Sequence, residues 1–194
     1  MENHWENFLN SKNDSETFAS IYKVYVNSLL SYGLSLNFDE DICRDAIHDV
    51  FYSIYMNKKK LSHVKDAKSY LFRSFRNRLF NIYNKTSRVF SLTDELTPFT
   101  ANITILDAII NAEELENLKL TVSELLDELT PRQREAIYLR YMQEMDYVDI
   151  AELLKMDSNS ARRLVHRGIK ALRENESITE KYLFILSFLF TSQF

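Results

Sequence analysis

Residues 129–173, LTPRQREAIYLRYMQEMDYVDIAELLKMDSNSARRLVHRGIKALR, decide the fold, because their pattern predicts three successive helices. Thr130 followed by Pro131 is typical of a helix start, with a hydroxyl at the N-cap and a proline at the first helical position. A first helix is therefore predicted over residues 131–142.

The second and third helices of this stretch carry their apolar residues at helical spacing. Asp146 is placed to cap the second helix, and Asp149 can return a bond to that cap as in a capping box. After a short connection, Asp157 or Ser158 is placed to cap the third helix. The apolar stripes are Tyr147, Ile150, Ala151 and Leu154 in the second helix and Ala161, Leu164, Val165, Gly168 and Leu172 in the third. Each helix therefore has one face to bury.

The opposite face of the third helix is basic, and residues 155–173 hold six Lys and Arg residues against one acid. Two helices joined by a tight turn, the second of them basic, indicate a helix-turn-helix whose recognition helix enters the major groove by its N-terminal end. Small residues at that end allow the backbone to approach phosphate, and arginines can bind guanine edges. The candidates are Ser158, Asn159, Ser160, Arg162, Arg163, His166, Arg167, Lys170 and Arg173. An ordinary amphipathic helix with a solvated basic face is the alternative.

The motifs L-T-P-R-Q-R-E-A-I-Y-L-R-Y, Y-V-D-I-A-E-L-L-K-M-D and S-A-R-R-L-V-H-R-G-I-K-A-L-R resemble region 4 of bacterial RNA polymerase sigma factors of the extracytoplasmic-function (ECF) type. The resemblance implies that residues 158–170 of the third helix bind the minus-thirty-five promoter element. Family members usually have glycine where this chain has Glu144 and Lys155, and alanine where it has Gly168. A non-glycine residue held at positive φ costs about 1 kcal/mol, so strain is expected at both turns.

Composition bounds the fold and excludes several functions. The 194 residues are 45% hydrophobic, and with only two glycines and two prolines they favour an all-helical protein. Cys43 is the single cysteine, so no internal disulfide is possible, and the polar N-terminus does not resemble a signal peptide. We therefore expect a cytoplasmic protein. The scattered histidines and the lack of a phosphate loop or nucleophile motif predict no enzyme, metal or cofactor.

Charge is strongly segregated, although the net charge is only −4. Residues 57–88 hold ten basic residues and one acid, whereas residues 94–128 hold nine acids and one lysine. Two basic surfaces separated by an acidic connector are typical of a protein that contacts DNA at two places. We predict two small helical domains at residues 1–88 and 119–176, an acidic linker at 89–118 and an apolar tail at 177–194.

In the first domain, helices are predicted over residues 15–32, closed by Gly33 as a C-cap, and over residues 39–57. The segment D-A-I-H-D-V-F in the second of these helices resembles the family motif D-x-x-Q-E-V-F, which docks on the clamp helices of the polymerase largest subunit. The resemblance implies polymerase contacts by Asp45, His48, Asp49 and Phe51. A solvated acidic face is the alternative.

The next helix, predicted from Asp66 or Ser69 through Lys85, mixes basic and aromatic residues. Opening DNA exchanges base stacking for contacts with such side chains. The stretch resembles sigma regions 2.3 and 2.4, which implies that it melts and reads the minus-ten element. The exposed candidates are Tyr70, Arg73, Arg76, Asn77 and Lys85, while Phe72, Phe75 and Phe80 are interpreted as core.

The tail contains Y-L-F-I-L-S-F-L-F at residues 182–190, far short of the roughly 18–20 apolar residues that span a membrane. Packing or partner binding is therefore favoured, and no membrane insertion is expected. The resemblance implies an alternative sigma factor whose partners are RNA polymerase core, promoter DNA and an anti-sigma factor, often membrane-anchored in the family. Two alternatives stay open: a stand-alone helix-turn-helix regulator with an N-terminal dimerisation or sensing domain, and a helical adaptor that binds no DNA.

Overall fold

The computed structural model describes residues 2–11, 14–86, 99–100 and 128–174, and the regular structure in these ranges is helical, with no strand. This confirms the prediction of an all-α fold. The chain divides into two compact units, Met1–Thr93 and Asp94–Phe194. The predicted apolar tail and most of the predicted linker lie outside the described ranges.

The described residues of the first unit form four α-helices and a short 3-10 turn. They are α1 (Glu2–Asn10), α2 (Asp14–Ser35), α3 (Glu40–Met56), the 3-10 turn (Lys58–Leu61) and α4 (Ala67–Thr86). Helix α4 packs against both α2 and α3. The core between them consists of apolar residues at helical spacing, including Ile21, Leu29, Ile47, Phe51, Leu71, Phe72, Phe75 and Leu79. The interpretation of Phe72 and Phe75 as core residues is confirmed.

Helix α1 was not predicted, although the i, i+3 pair Trp5 and Phe8 was a signal for it. Both side chains are buried. The indole Nε1–H of Trp5 donates a hydrogen bond to the carbonyl oxygen of Val64 at 3.1 Å. The ammonium of Lys58 lies 4.9 Å from the Phe8 ring centroid and donates to the Ser11 carbonyl oxygen at 2.8 Å. Helix α1 therefore orders the basic turn that follows α3.

The prediction that Gly33 is a C-cap is wrong, because α2 continues past it to Ser35. The left-handed residue that follows the helix is Asn37, with φ of 59°. Gly33 serves close packing instead: a Cβ there would lie 2.5 Å from Sγ of Cys43 and 2.9 Å from Cζ of Phe75. A side chain at this position would collide with α3 and α4.

The second unit contains the three predicted helices. They are α5 (Pro131–Ile137), which continues as a π-helical turn (Tyr138–Met142), then α6 (Tyr147–Leu154) and α7 (Ser158–Glu174). Thr130 caps α5 as predicted: its hydroxyl accepts from the Gln133 N–H at 3.3 Å, and Oε1 of Gln133 accepts from the Thr130 N–H at 2.9 Å. This reciprocal pair is a capping box, which fixes where α5 begins.

The prediction that Asp146 caps the second helix is confirmed for its position but not for its side-chain hydrogen bond. Asp146 occupies the N-cap position of α6, but its side chain makes no capping hydrogen bond. Its carboxylate lies 3.5 Å from Nη1 of Arg140, and the same nitrogen donates to the Met145 carbonyl oxygen at 2.8 Å. The turn before α6 is therefore held from the side by an arginine.

Helices α5 and α6 both pack on α7. Most of the predicted stripes are buried, namely Ile150, Ala151, Leu154, Ala161, Val165, Gly168 and Leu172, together with Leu153 and Ile169, which were not predicted. Tyr147 and Leu164 were expected in the core but are only half-buried. Phe99, within the predicted linker, is buried with its ring 5.5 Å from that of Tyr138. That position therefore belongs to the core of the second unit.

Candidate nucleic-acid interface

The outer face of α7 is a continuous basic surface. Its exposed residues are Asn159, Arg162, Arg163, His166, Arg167, Lys170 and Arg173, and Ser158 and Ser160 at its start are half-exposed. The apolar face of the same helix is covered by α5 and α6, which fixes the direction of the cationic side chains. Because a helix fits the major groove of B-DNA, this arrangement can place several cations on one groove at once.

The first turn of α7 is organised by one carboxylate. Asp157 accepts from the Ser160 N–H at 2.9 Å and from the Ser160 hydroxyl at 2.5 Å. These hydrogen bonds, with a smaller contribution from the charge of Arg163, lower the pKa of Asp157 below its ordinary value. Nη2 of Arg163 donates to the Ser160 hydroxyl oxygen at 2.8 Å. The cap of the helix therefore also orients an arginine of the basic surface.

Two arginines lie over the ring of Tyr147, the first residue of α6. The guanidinium carbon of Arg162 is 5.2 Å from the ring centroid, and that of Arg140 is 4.8 Å from it. Both distances fall within the range of cation–π attraction. Tyr147 was predicted as a core residue, so its contact with a residue of the basic surface was missed.

Both turns of the helix-turn-helix adopt the conformation that glycine usually provides. Glu144 has φ of 52° and Lys155 has φ of 54°. Lys155 is the C-cap of α6, and its N–H bonds to the carbonyl oxygens of Ala151 and Glu152. Arg132 of α5 donates to the carbonyl oxygen of Leu154 at the same turn. The geometry expected from the resemblance is thus present without glycine.

In the first unit, the minus-ten candidates on α4 do not share one surface. Asn77 is exposed and Arg73 is half-buried. Tyr70 is half-buried, with its ring 6.4 Å from that of Trp5. The expectation that Arg76 is exposed is wrong: it is 1% exposed, and its guanidinium carbon lies 4.6 Å from the Phe80 ring centroid. The side chain of Lys85 lies outside the described part of the chain.

The position of Arg76 in the sequence gave a signal for its burial. It lies at helical spacing from Phe72 and Phe80, on the stripe that faces α2 and α3. Arginine is nevertheless rarely fully buried, which favours an exposed position for such a residue. A long side chain can be buried along its stem when an aromatic ring receives the charged end.

The polymerase-binding candidates on α3 also separate by burial. Asp45 and His48 are exposed, and Phe51 is 2% exposed, with its ring 4.9 Å from that of Tyr22. Phe51 is therefore a core residue rather than a contact residue. Asp49 is partly exposed, and its Oδ2 binds Arg78 of α4 at 2.8 Å from Nε and 2.5 Å from Nη2.

A groove of about 380 Å³ runs between α3 and α4 beside the Asp49–Arg78 pair. Its wall residues are mainly polar on the α4 side. They are Asp49, Val50, Ser53 and Ile54 of α3 and Tyr70, Ser74, Asn77, Arg78 and Asn81 of α4. The groove thus brings one candidate polymerase contact, Asp49, beside two candidate minus-ten contacts, Tyr70 and Asn77.

Within the described ranges, the requirements of a metal site, a reactive cysteine and a membrane-spanning helix are not met. Among those residues there is no group of three or more His, Cys, Asp or Glu side chains placed to hold a metal ion. Burial, with a smaller contribution from Asp39, raises the pKa of the Cys43 thiol to about 11, so the thiolate is scarce at neutral pH. No helix within the described ranges is long and apolar enough to span a bilayer.

Comparisons with known proteins agree with the helix-turn-helix geometry. The family model "Sigma-70, region 4" matches residues 119–172, which include α5, α6 and most of α7. The chain is similar to the ECF RNA polymerase sigma factor SigM of Bacillus subtilis (strain 168), with 22% identity over 157 residues, 81% of this chain and 93% of the relative. It is also similar to the ECF RNA polymerase sigma factor SigW of the same strain, with 24% identity over 173 residues, 84% and 90% of the two chains.

Among solved structures, the chain resembles CnrH in its complex with the cytosolic domain of CnrY. The TM-score is 0.56 at 16% sequence identity, and the match covers 88% of this chain and 93% of that one. At this identity the likeness concerns the fold alone. Taken with the region 4 match and the two relatives, it confirms the resemblance inferred from the sequence motifs.

Proposed function

We infer that this chain is an alternative sigma factor of the ECF type, which binds RNA polymerase core and directs promoter recognition and transcription initiation. The observation that carries this inference is the basic outer face of α7 on a helix-turn-helix that matches sigma region 4. As a sigma factor the chain acts as a specificity subunit rather than an enzyme, and its place of action is the cytoplasm, where RNA polymerase works.

We propose that the second unit holds the minus-thirty-five element through α7. Ser158, Asn159 and Ser160 stand at the N-terminal end that enters the groove. Arg162, Arg163, His166, Arg167 and Lys170 follow on the exposed face. Because arginine can bind guanine by two hydrogen bonds whereas lysine binds phosphate as a point charge, the arginines are the candidates for base reading. The expected specificity resides in Arg162 and Arg163, which the fold orients.

We propose that the first unit opens the minus-ten element through α4, with a smaller contact set than the sequence predicted. Tyr70, Arg73 and Asn77 are the accessible residues, and Lys85 follows farther along the helix. Arg76 is retained only as an internal support, because its side chain is buried. The groove beside Tyr70 and Asn77 offers polar groups and a concave surface, which suit an unstacked base.

We propose that α3 docks on the polymerase clamp through Asp45 and His48. Asp49 contributes to this contact while it is paired with Arg78, and the buried Phe51 stabilises the packing of α3. The functional domains would then be region 2 at residues 1–88 and region 4 at 119–176, joined by the acidic linker at 89–118. An anti-sigma factor is a further partner implied by the family, and the complex of CnrH with the cytosolic domain of CnrY supports a protein partner for this fold.

Binding of the full chain to RNA polymerase core tests this function. Asp45→Lys reverses an exposed charge on α3 and should reduce affinity for core about tenfold or more, the loss expected when a complementary charge becomes repulsive. Glu16→Lys makes the same charge change on the exposed side of α2 and should bind as the parent chain does. Helicity measured by circular dichroism confirms that both variants are folded.

Two results would contradict the proposal. Failure of the parent chain to bind core would remove the sigma function. Specific binding of the chain alone to a palindromic DNA site would favour a stand-alone regulator. Equal loss of binding in Asp45→Lys and Glu16→Lys would retain the function but remove α3 as the docking helix.

A further inference from the structure

We propose that Tyr147 is a positioning residue for promoter recognition, because its ring holds the Arg162 guanidinium in the orientation that contacts the minus-thirty-five element. The inference rests on the proposed function and deepens it, by assigning a specificity role to a residue outside the recognition helix. Tyr147 begins α6 and is half-buried, so it can contact α7 on one side without entering the DNA interface itself.

The ring of Tyr147 is fixed on the side of the protein. It starts α6 directly after a turn that Arg140 holds, since Nη1 of that arginine donates to the Met145 carbonyl oxygen at 2.8 Å. The Arg140 guanidinium also lies over the ring, 4.8 Å from its centroid. The support for Arg162 therefore consists of the Tyr147 ring, the Arg140 guanidinium and the turn before α6, whose backbone Arg140 constrains.

Arg162 is the exposed member of this cluster, and its guanidinium carbon lies 5.2 Å from the centroid of the same ring. A cation–π contact engages the charge of a guanidinium and leaves its N–H groups free to donate hydrogen bonds. An exposed arginine otherwise loses much rotamer freedom when it binds. By restricting Arg162 before DNA arrives, the Tyr147 ring reduces that loss and favours one direction of approach.

The neighbouring Arg163 is held by different contacts. The effect of Tyr147 on Arg162 can therefore be measured separately from any effect on Arg163. Arg163 donates to the Ser160 hydroxyl oxygen at 2.8 Å, within the cap formed by Asp157. Among the described residues of α7, the arginine that lies over the Tyr147 ring is Arg162 and not Arg163. Removing the Tyr147 ring should therefore alter the part of the promoter that Arg162 contacts and leave the part that Arg163 contacts unchanged.

The test uses holoenzyme assembled from RNA polymerase core and the full chain, and a library of random-sequence DNA duplexes long enough to span both promoter elements. Bound duplexes are sequenced for the parent chain and for Tyr147→Phe, Tyr147→Leu, Arg162→Ala and Val148→Ala. Phenylalanine keeps the ring, whereas leucine keeps only the apolar bulk. Val148, 59% exposed on the same helix, is the matched control. Thermal unfolding confirms that all variants are folded.

We expect Arg162→Ala to abolish the base preference at one or two positions of the minus-thirty-five element. Tyr147→Leu should weaken the preference at those same positions about two- to fivefold, the range of an exposed cation–π contact. Tyr147→Phe and Val148→Ala should retain the preference of the parent chain. Rescue by phenylalanine separates positioning of Arg162 from a general effect on folding, which would weaken all positions together.

Three outcomes overturn the inference. They are an unchanged preference in Tyr147→Leu, a preference that weakens evenly at all positions, and an Arg162→Ala pool that keeps every preference of the parent chain. A parent pool without any enrichment is a different failure, because it contradicts the sigma function itself. The experiment therefore distinguishes the two claims.

Discussion

Helices α4 and α7 both combine several basic residues with apolar residues at helical spacing. Their cationic side chains nevertheless differ in burial and in contacts. In α7 every arginine is exposed, because α5 and α6 cover only the apolar stripe. In α4, Arg76 is buried against Phe80 and Arg78 is paired with Asp49. Both helices pack against two neighbours, but Arg76 lies on the buried stripe of α4, whereas no arginine lies on the buried stripe of α7.

Basic residues on an amphipathic helix therefore indicate a nucleic-acid surface only where they lie outside the buried stripe. The arginines of α7 meet this condition and remain available to a ligand. Arg76 of α4 does not meet it, and Arg78 of the same helix binds Asp49 of α3.

The largest effect is expected from Arg76→Ala, which removes the buried arginine side chain of α4. The variant leaves a cavity beside Phe80 and should lower the free energy of unfolding of the first unit by about 3 kcal/mol. Urea unfolding followed by the fluorescence of Trp5, the single tryptophan and a core residue of this unit, measures the change. Asn77→Ala, at an exposed neighbouring position, should change the same quantity by less than about 0.5 kcal/mol.

The contrast would fail if Arg76→Ala were as stable as the parent chain and only promoter opening were lost. In that case Arg76 would be a DNA contact, and α4 would resemble α7 after all.

A second pair of variants compares packing against α4 with packing inside α7. Gly33→Ala puts a Cβ 2.5 Å from Sγ of Cys43 and 2.9 Å from Cζ of Phe75, and should destabilise the first unit by about 1–3 kcal/mol. Gly168→Ala meets Cδ1 of Ile137 at 2.7 Å, the end of a flexible side chain, and the helix gains from alanine. Its unfolding free energy, followed by circular dichroism, should change by less than about 1 kcal/mol. Equal losses in the two variants would contradict this account of the packing.

Much of the helix-turn-helix could be predicted from the sequence, because its determinants are local. Thr130 and Pro131 fix the start of α5, and the stripe through Ala161 and Val165 fixes the buried face of α7. The positive φ of Lys155 followed from the position where the family has glycine. Each of these signals lies within a few residues of the feature that it predicts.

Two of the features that were missed depend on contacts between distant residues. Gly33 lies inside a helix because Cys43 and Phe75 approach it there. Tyr147 fits an apolar stripe by spacing, but it is half-buried and two arginines from other elements lie over its ring. Helical periodicity locates the buried stripe of one helix, but it does not show which distant side chains approach that stripe.

A third prediction concerns the turn that presents α7. Lys155 is a non-glycine residue with φ of 54°, so Lys155→Gly should raise the unfolding free energy of the second unit by about 0.5–1 kcal/mol. Thermal unfolding monitored by circular dichroism provides the measurement. Glu152→Gly, one turn earlier within α6, should lower stability by about 1 kcal/mol. A loss of stability in Lys155→Gly would show that its side-chain contacts outweigh the strain of its backbone.

The smallest effect is a pH dependence at the start of α7. Because the hydrogen bonds from Ser160 lower the pKa of Asp157 in the folded chain, the cap stabilises the helix above the ordinary pKa of 3.8. That contribution is lost as the pH falls through the lowered value. The amide proton shift of Ser160, followed by NMR, should therefore titrate below the pH of an ordinary aspartate. Asp157→Asn should abolish the transition, and a transition that survives in this variant would assign the titration to another group.

The central claim is that the exposed face of α7 contacts the minus-thirty-five element within holoenzyme. A photoreactive side chain at His166, in the middle of that face, tests it most directly on a promoter recovered with the parent holoenzyme. Crosslinks to the minus-thirty-five element are expected only when RNA polymerase core is present, and none are expected when that element is replaced. Crosslinks that form equally without core, or that map elsewhere on the promoter, would contradict it.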